Sequence, residues 1–96
     1  MAKIIAGHFS PDKIILFGSH AKGKAGLDSD VDLLVVMPVT ESKRKKQIEI
    51  RLALHGIKIS KDIIVTTPED YEWRKDIPGT VERSAEIDGK LLYARP

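Results

Sequence analysis

Phe17-Gly18-Ser19-His20-Ala21-Lys22-Gly23-Lys24-Ala25-Gly26-Leu27-Asp28-Ser29-Asp30-Val31-Asp32-Leu33-Leu34-Val35-Val36 is the stretch on which the reading of this sequence turns. A Gly-Ser pair follows one apolar run, and an Asp-x-Asp opens the next. Residues 13–17, β-branched and apolar between Pro11 and Gly18, are expected to form a buried strand. Residues 18–22 are expected to make a short helical turn. Residues 23–29, with Gly23, Gly26 and an Asp-Ser pair, read as loop, and 31–37 as a second strand that Pro38 stops.

Working outward, Thr40 is placed to cap a helix over 41–55 that Gly56 ends. The first half of that helix is charged, and the second half offers Ile48 and Leu52 to a core. A third strand is expected over 57–66, best defined at Asp62-Ile63-Ile64-Val65. Thr67 caps the next helix, with Pro68 at its first position and Asp70 completing a capping-box-like pattern. Tyr71 and Trp73 on it read as packing or partner-surface residues. A short helix over 80–88, bounded by Gly89, and a last strand over 90–93 complete the chain. Strands alternating with helices define an α/β domain, a small mixed β-sheet with flanking helices.

The composition excludes several classes. The chain has 96 residues, which fits one domain spanning 1–96, and 42% hydrophobic with 31% charged residues suits a globular fold. Cysteine is absent, so there is neither a disulfide framework nor a thiolate metal site. No apolar run approaches the roughly 20 residues of a membrane span, and the start lacks an apolar stretch of signal-peptide length. A cytoplasmic protein is expected. The net charge of +2 says little about partners. The basic cluster Lys43-Arg44-Lys45-Lys46 reads as the solvated start of a helix, with a phosphate-tracking patch as its alternative.

The chemistry lies in the quoted stretch. Asp30 and Asp32 are two apart, so on a strand they share a face with Cα atoms roughly 6.5–7 Å apart. Carboxylates so spaced converge on hard cations, such as the two magnesium ions about 3.5–4 Å apart of nucleotidyl-transfer sites. Two like charges on one face raise each other's pKa, a cost that a cation relieves. Gly18 lets backbone approach a ligand closely. Ser19 offers a hydroxyl at the start of a turn whose free N–H groups suit a phosphate. Taken singly, each half also fits an ordinary turn or a solvated strand end. Two other motifs fail. Gly18-x-x-x-x-Gly23-Lys24-Ala25 lacks the P-loop hydroxyl at Ala25. Asp28-x-Asp30-x-Asp32 opens like an EF-hand, but Leu33 stands where glycine is required and Val39 where the bidentate glutamate belongs.

Together, Gly18-Ser19, ten intervening residues and Asp30-x-Asp32, with an apolar strand on each side, resemble the signature of the nucleotidyltransferase superfamily related to DNA polymerase beta. The likeness is greatest to its minimal, MNT-domain members. It continues through Thr67-Pro68-Glu69-Asp70-Tyr71 and Gly79-Thr80…Ser84-Ala85…Gly89-Lys90-Leu91-Leu92-Tyr93, and so covers about Lys13 to Tyr93. The resemblance implies the nucleotidyltransferase fold, with Gly18, Ser19 and Lys22 on the triphosphate of ATP. It implies Asp30, Asp32 and Asp62 as catalytic metal ligands of a two-magnesium site, with Asp62, a third carboxylate on a neighbouring strand, helping to hold the second ion and taking the acceptor's proton. Relatives often carry arginine at the positions of His20 and Lys22. Lys22 keeps the charge without the bidentate fork.

The resemblance also implies a partner. MNT proteins are often paired, as antitoxins, with HEPN-domain toxins, which they adenylylate on tyrosine or block by contact. The expected function is therefore a metal-dependent transferase that moves AMP from ATP to a protein hydroxyl. The alternative is a non-catalytic binding module of the same fold. RNA and a small molecule are further acceptors to weigh. Large relatives place nucleotide base and acceptor in a helical domain for which this chain has no room, which argues against the small molecule. A partner subunit could supply that half; an oligomer is a separate possibility.

Overall fold

The computed structural model describes residues 1–26 and 29–96 of the protein; of the expected 23–29 loop, Leu27 and Asp28 lie outside the described residues. In chain order the elements are α1 (Ala2–Phe9), β1 (Lys13–Phe17), β2 (Val31–Val36), α2 (Lys43–Ala53), β3 (Lys61–Thr66), α3 (Pro68–Arg74), α4 (Val81–Asp88) and β4 (Lys90–Ala94). The sheet order is β3-β2-β1-β4. β1 pairs antiparallel with β2 and β4, and β2 pairs parallel with β3. A parallel pair needs a crossover connection, and α2 supplies it.

The central position of β2 follows from its composition. Leu33, Leu34, Val35 and Val36 are each at most 3% exposed, as a strand covered on both faces must be. Alternation divides the core in two. Ile14, Leu33, Val35, Ile63 and Val65 pack against Ile5 of α1, Ile50 of α2 and Leu54 at the α2 C-cap. Ile15, Phe17, Leu34 and Val36 pack against Tyr71 of α3 and Ala85 of α4. The outer edge of β3 is partly closed by a side chain: the Val65 N–H donates to Gln47 Oε1 at 2.9 Å. On the α3–α4 side, Thr66 Oγ1 donates to the buried Glu82 carboxylate at 2.8 Å, and the Tyr71 hydroxyl donates to Glu86 at 2.5 Å. Burial, then the Glu86 contact, raises the Tyr71 pKa and keeps this phenol a donor.

The mixed sheet and its helices are as expected, with five local corrections. α1 was not foreseen in the sequence. Met1 supplies no side-chain cap, and the helix is fixed by tertiary contact of Ile5 and closed by Ser10 in the left-handed region. The second strand ends at Val36, one residue before the expected 37. The next helix begins at Lys43 and ends at Ala53, capped by Ser42 rather than Thr40, because the Ser42 hydroxyl accepts from the Lys45 N–H. Its buried face carries Ile50 and Leu54, whereas Ile48 and Leu52 are 51% and 64% exposed. The Gln47 bond to β3 fixes that rotation. The third strand starts at Lys61, not 57, since the Lys61 ammonium binds the Ile57 and Ile59 carbonyls and folds that segment into an arch.

Candidate active site

The C-terminal end of β1 and the N-terminal ends of β2 and β3 meet at one end of the sheet. In the register Phe17 lies opposite Asp32, and Asp32 lies beside Asp62. Partners in a ladder share a face, so the Asp32 and Asp62 side chains leave the sheet on the α3–α4 side. Asp30 stands immediately before β2 rather than on it, and is exposed. The backbone just after it is held, since the Val31 N–H donates to the Ser60 carbonyl at 2.9 Å.

Gly18 follows β1 with φ 76°, and the space a side chain would take there is filled by the Asp32 carboxylate. A single helical turn then forms: the Lys22 N–H donates to the Gly18 carbonyl at 3.2 Å and the Lys24 N–H to the Ser19 carbonyl at 3.0 Å. Ser19 is exposed at the start of this turn. The His20 ring Nε2 lies 3.1 Å from the Ser29 carbonyl oxygen. Lys22 Nζ lies 3.7 Å from Asp88 at the end of α4. The two residues, with Ala21, Lys24 and Ile87, line an open cleft of about 580 Å³.

The electrostatics identify Asp32 as the strained charge. Burial, then the carboxylates of Asp62 and Asp30, push its pKa above the ordinary 3.8, and His20 opposes them. Asp62 is half-exposed and accepts from the Arg51 guanidinium at 3.4 Å. Among the described residues no three acidic or histidine side chains stand close enough to hold a cation without adjustment. Asp62 already engages the Arg51 guanidinium, and among the described residues no ion pair reaches Asp32. All-oxygen donors of this kind fit magnesium, which a site of one or two carboxylates completes with substrate phosphates. Arg51 and Asp88 escape sequence reasoning, because no motif marks either and both join the site only through tertiary packing.

Comparison with known proteins agrees with this fold. Residues 1–92 match the nucleotidyltransferase domain family. No curated protein is significantly similar to the chain. Three crystal structures share the fold. A proposed nucleotidyltransferase from Sulfolobus solfataricus is 22% identical, with 98% of this chain and 74% of that one covered and a TM-score of 0.64. A toxin–antitoxin with AMP-PNP is 16% identical, covering 97% and 69%, with a TM-score of 0.64. A mutant of the toxin–antitoxin MntA-HpeT is 14% identical, covering 97% and 69%, with a TM-score of 0.66. At these identities the likeness establishes the fold. With the family match across nearly its whole length, the chain belongs to the nucleotidyltransferase domain family.

Proposed function

We propose that this protein is a metal-dependent nucleotidyltransferase, a single domain that moves AMP from ATP to a hydroxyl of a HEPN-type toxin in a cytoplasmic toxin–antitoxin pair. The observation that carries this reading is the Asp32–Asp62 register, with Gly18 packed on Asp32. The Gly18 turn adjoins the Asp32 carboxylate, and among the described residues only Asp62 of the two aspartates has an ion-pair partner. In support of the toxin–antitoxin setting, one structural neighbour is a toxin–antitoxin with AMP-PNP. Another carries two aspartate-to-glutamate replacements two positions apart, the spacing of Asp30 and Asp32. Among the described residues no helix is long and apolar enough to cross a membrane.

In the proposed reaction the acceptor oxygen bonds to the α-phosphorus, the α–β phosphoanhydride breaks, and pyrophosphate leaves. Asp30, Asp32 and Asp62 would hold the divalent ions, and Asp62 would take the proton that the acceptor hydroxyl loses. Bound magnesium would offset phosphate charge and lower the pKa of the acceptor hydroxyl. The Gly18–Ser19 turn orients the triphosphate through backbone N–H groups and the Ser19 hydroxyl. Lys22 exchanges Asp88 for a phosphate oxygen.

Incubation with labelled ATP, magnesium and a HEPN partner tests the reading. Label should pass to the partner, and the Asp30→Ala, Asp32→Ala double variant should bind the partner and transfer nothing. The Lys22–Asp88 contact favours a second reading, a binding module that neutralises by contact. Full protection of cells by the double variant would select it. Labelling of RNA instead would change the acceptor.

A further inference from the structure

The Ser29 carbonyl and the Val31 N–H are the backbone groups on either side of Asp30. Each has a partner: Val31 donates to the Ser60 carbonyl at 2.9 Å, and the Ser29 carbonyl meets His20 Nε2 at 3.1 Å. A carbonyl oxygen only accepts, so Nε2 carries the proton and donates. Among the described residues Ser29 is otherwise tied only within its own loop, where its hydroxyl accepts from the Gly26 N–H at 3.0 Å and its N–H donates to the Gly26 carbonyl at 3.2 Å. Among the described residues, the His20 bond is thus the one tie from the Ser29 backbone to the Gly18–Lys22 turn.

We infer that His20 is a positioning residue, which holds the backbone entering Asp30 and thereby sets where that carboxylate meets a divalent cation. The inference rests on the reading of Asp30 as a metal ligand. The imidazole is half-buried, and Leu16, Val31 and Leu33 line the same groove. That apolar wall limits competition by water for the bond. The role needs an N–H at Nε2 and no charge, so it persists in both the neutral and the protonated ring. It also differs from what an arginine fork would do at this position, which is to reach the phosphates directly.

The test uses Mn2+ titration, by electron paramagnetic resonance, in the presence of a non-hydrolysable ATP analogue. His20→Gln places an amide N–H near the Nε2 position, and His20→Asn places one near Nδ1. His20→Ala and His20→Asn should weaken Mn2+ by about 10-fold, the low end for groups that orient metal ligands. His20→Gln should stay within about 2-fold of wild type. Amide hydrogen exchange at Ser29 should speed up in the first two and not in the third. Because His20→Asn and His20→Gln differ by one methylene, a general loss of fold does not separate them. Equal Mn2+ affinity for all three variants and wild type, while Asp30→Asn binds weakly, would overturn the positioning role alone. Unchanged affinity in Asp30→Asn would remove Asp30 as a ligand, and the role of His20 with it.

Discussion

A Cβ placed on Gly18 would overlap Oδ2 of Asp32 and stand 3.2 Å from its Cγ. The end of β1 and the start of β2 are thus locked at atomic contact across the antiparallel pair, with Phe17 opposite Asp32. Two requirements meet at Gly18. Its φ of 76° is costly for any residue with a side chain, and the space a side chain needs is filled by a carboxylate. The turn that follows Gly18 and the aspartate that faces it are therefore one construction rather than two neighbouring motifs.

Gly18→Ala should separate backbone strain from disturbance of Asp32 when compared with Gly23→Ala. Gly23 has φ 71° with nothing within 4 Å of its absent Cβ. Both variants should lose roughly 1–3 kcal/mol of stability in urea denaturation, the usual range for a non-glycine residue held at positive φ. Only Gly18→Ala should also lose metal–nucleotide affinity, by about 10-fold or more in calorimetry. Equal affinities for the two variants would mean that the Gly18–Asp32 contact does not shape the site.

Asp32→Asn should stabilise the metal-free protein near neutral pH. The folded-state pKa of Asp32 is raised, by burial first and then by Asp62 and Asp30. The folded protein therefore holds this proton more tightly than the unfolded chain does. Stability is unaffected by Asp32 below the ordinary 3.8, declines as pH rises from there through the folded-state value, and carries the full penalty above it. The gain in Tm from Asp32→Asn should shrink toward zero on acidification, and magnesium with nucleotide should stabilise wild type more than the variant. A variant less stable than wild type at neutral pH without metal would contradict the sign.

Leu54→Ala and Leu52→Ala should differ sharply. Leu54 is fully buried in the core between α2 and the sheet, and Leu52 is 64% exposed. Truncating the first should cost about 2–5 kcal/mol; truncating the second should stay within about 0.5 kcal/mol. Thermal and urea unfolding of both variants would show it.

That last pair marks where sequence reading stopped. The strands around the Gly-Ser and Asp-x-Asp were legible because Ile14, Ile15 and the run from Leu33 to Val36 are apolar enough to be buried whatever surrounds them. Thr67 announced its helix, and its hydroxyl accepts the N–H of Asp70 at the third helical position; Thr80, read as the first residue of its helix, caps α4 in the same way. The rotation of α2 was not legible. Ile48, Ile50, Leu52 and Leu54 alternate, which suits no single helix face, and the choice was made by the Gln47 contact to β3. α1 gave no local signal, since an uncapped eight-residue segment is helical only through packing. At the site, Asp32 and Gly18 were marked by the spacing of the signature, and Asp62 only by the resemblance. The bonds of His20 to Ser29, Lys22 to Asp88 and Arg51 to Asp62 arise from packing alone.

Arg51→Gln should tighten divalent-cation binding if Asp62 is a ligand. The Arg51 guanidinium lies 3.4 Å from Asp62 Oδ1, with both side chains more than half exposed. It therefore competes with any cation for that oxygen. An exposed pair of this kind contributes at most about 1 kcal/mol, so removing the competitor should raise Mn2+ affinity by no more than about 5-fold. The gain should fade as ionic strength rises, because salt screens an exposed pair and not an inner coordination bond. Asp62→Asn should abolish the effect of Arg51→Gln, since no carboxylate is then left to compete for. The melting temperature should scarcely move. Weaker Mn2+ binding in Arg51→Gln would reverse the assignment: Arg51 would then hold Asp62 in the orientation the cation needs, and the arginine would count as support for the site rather than as its internal competitor.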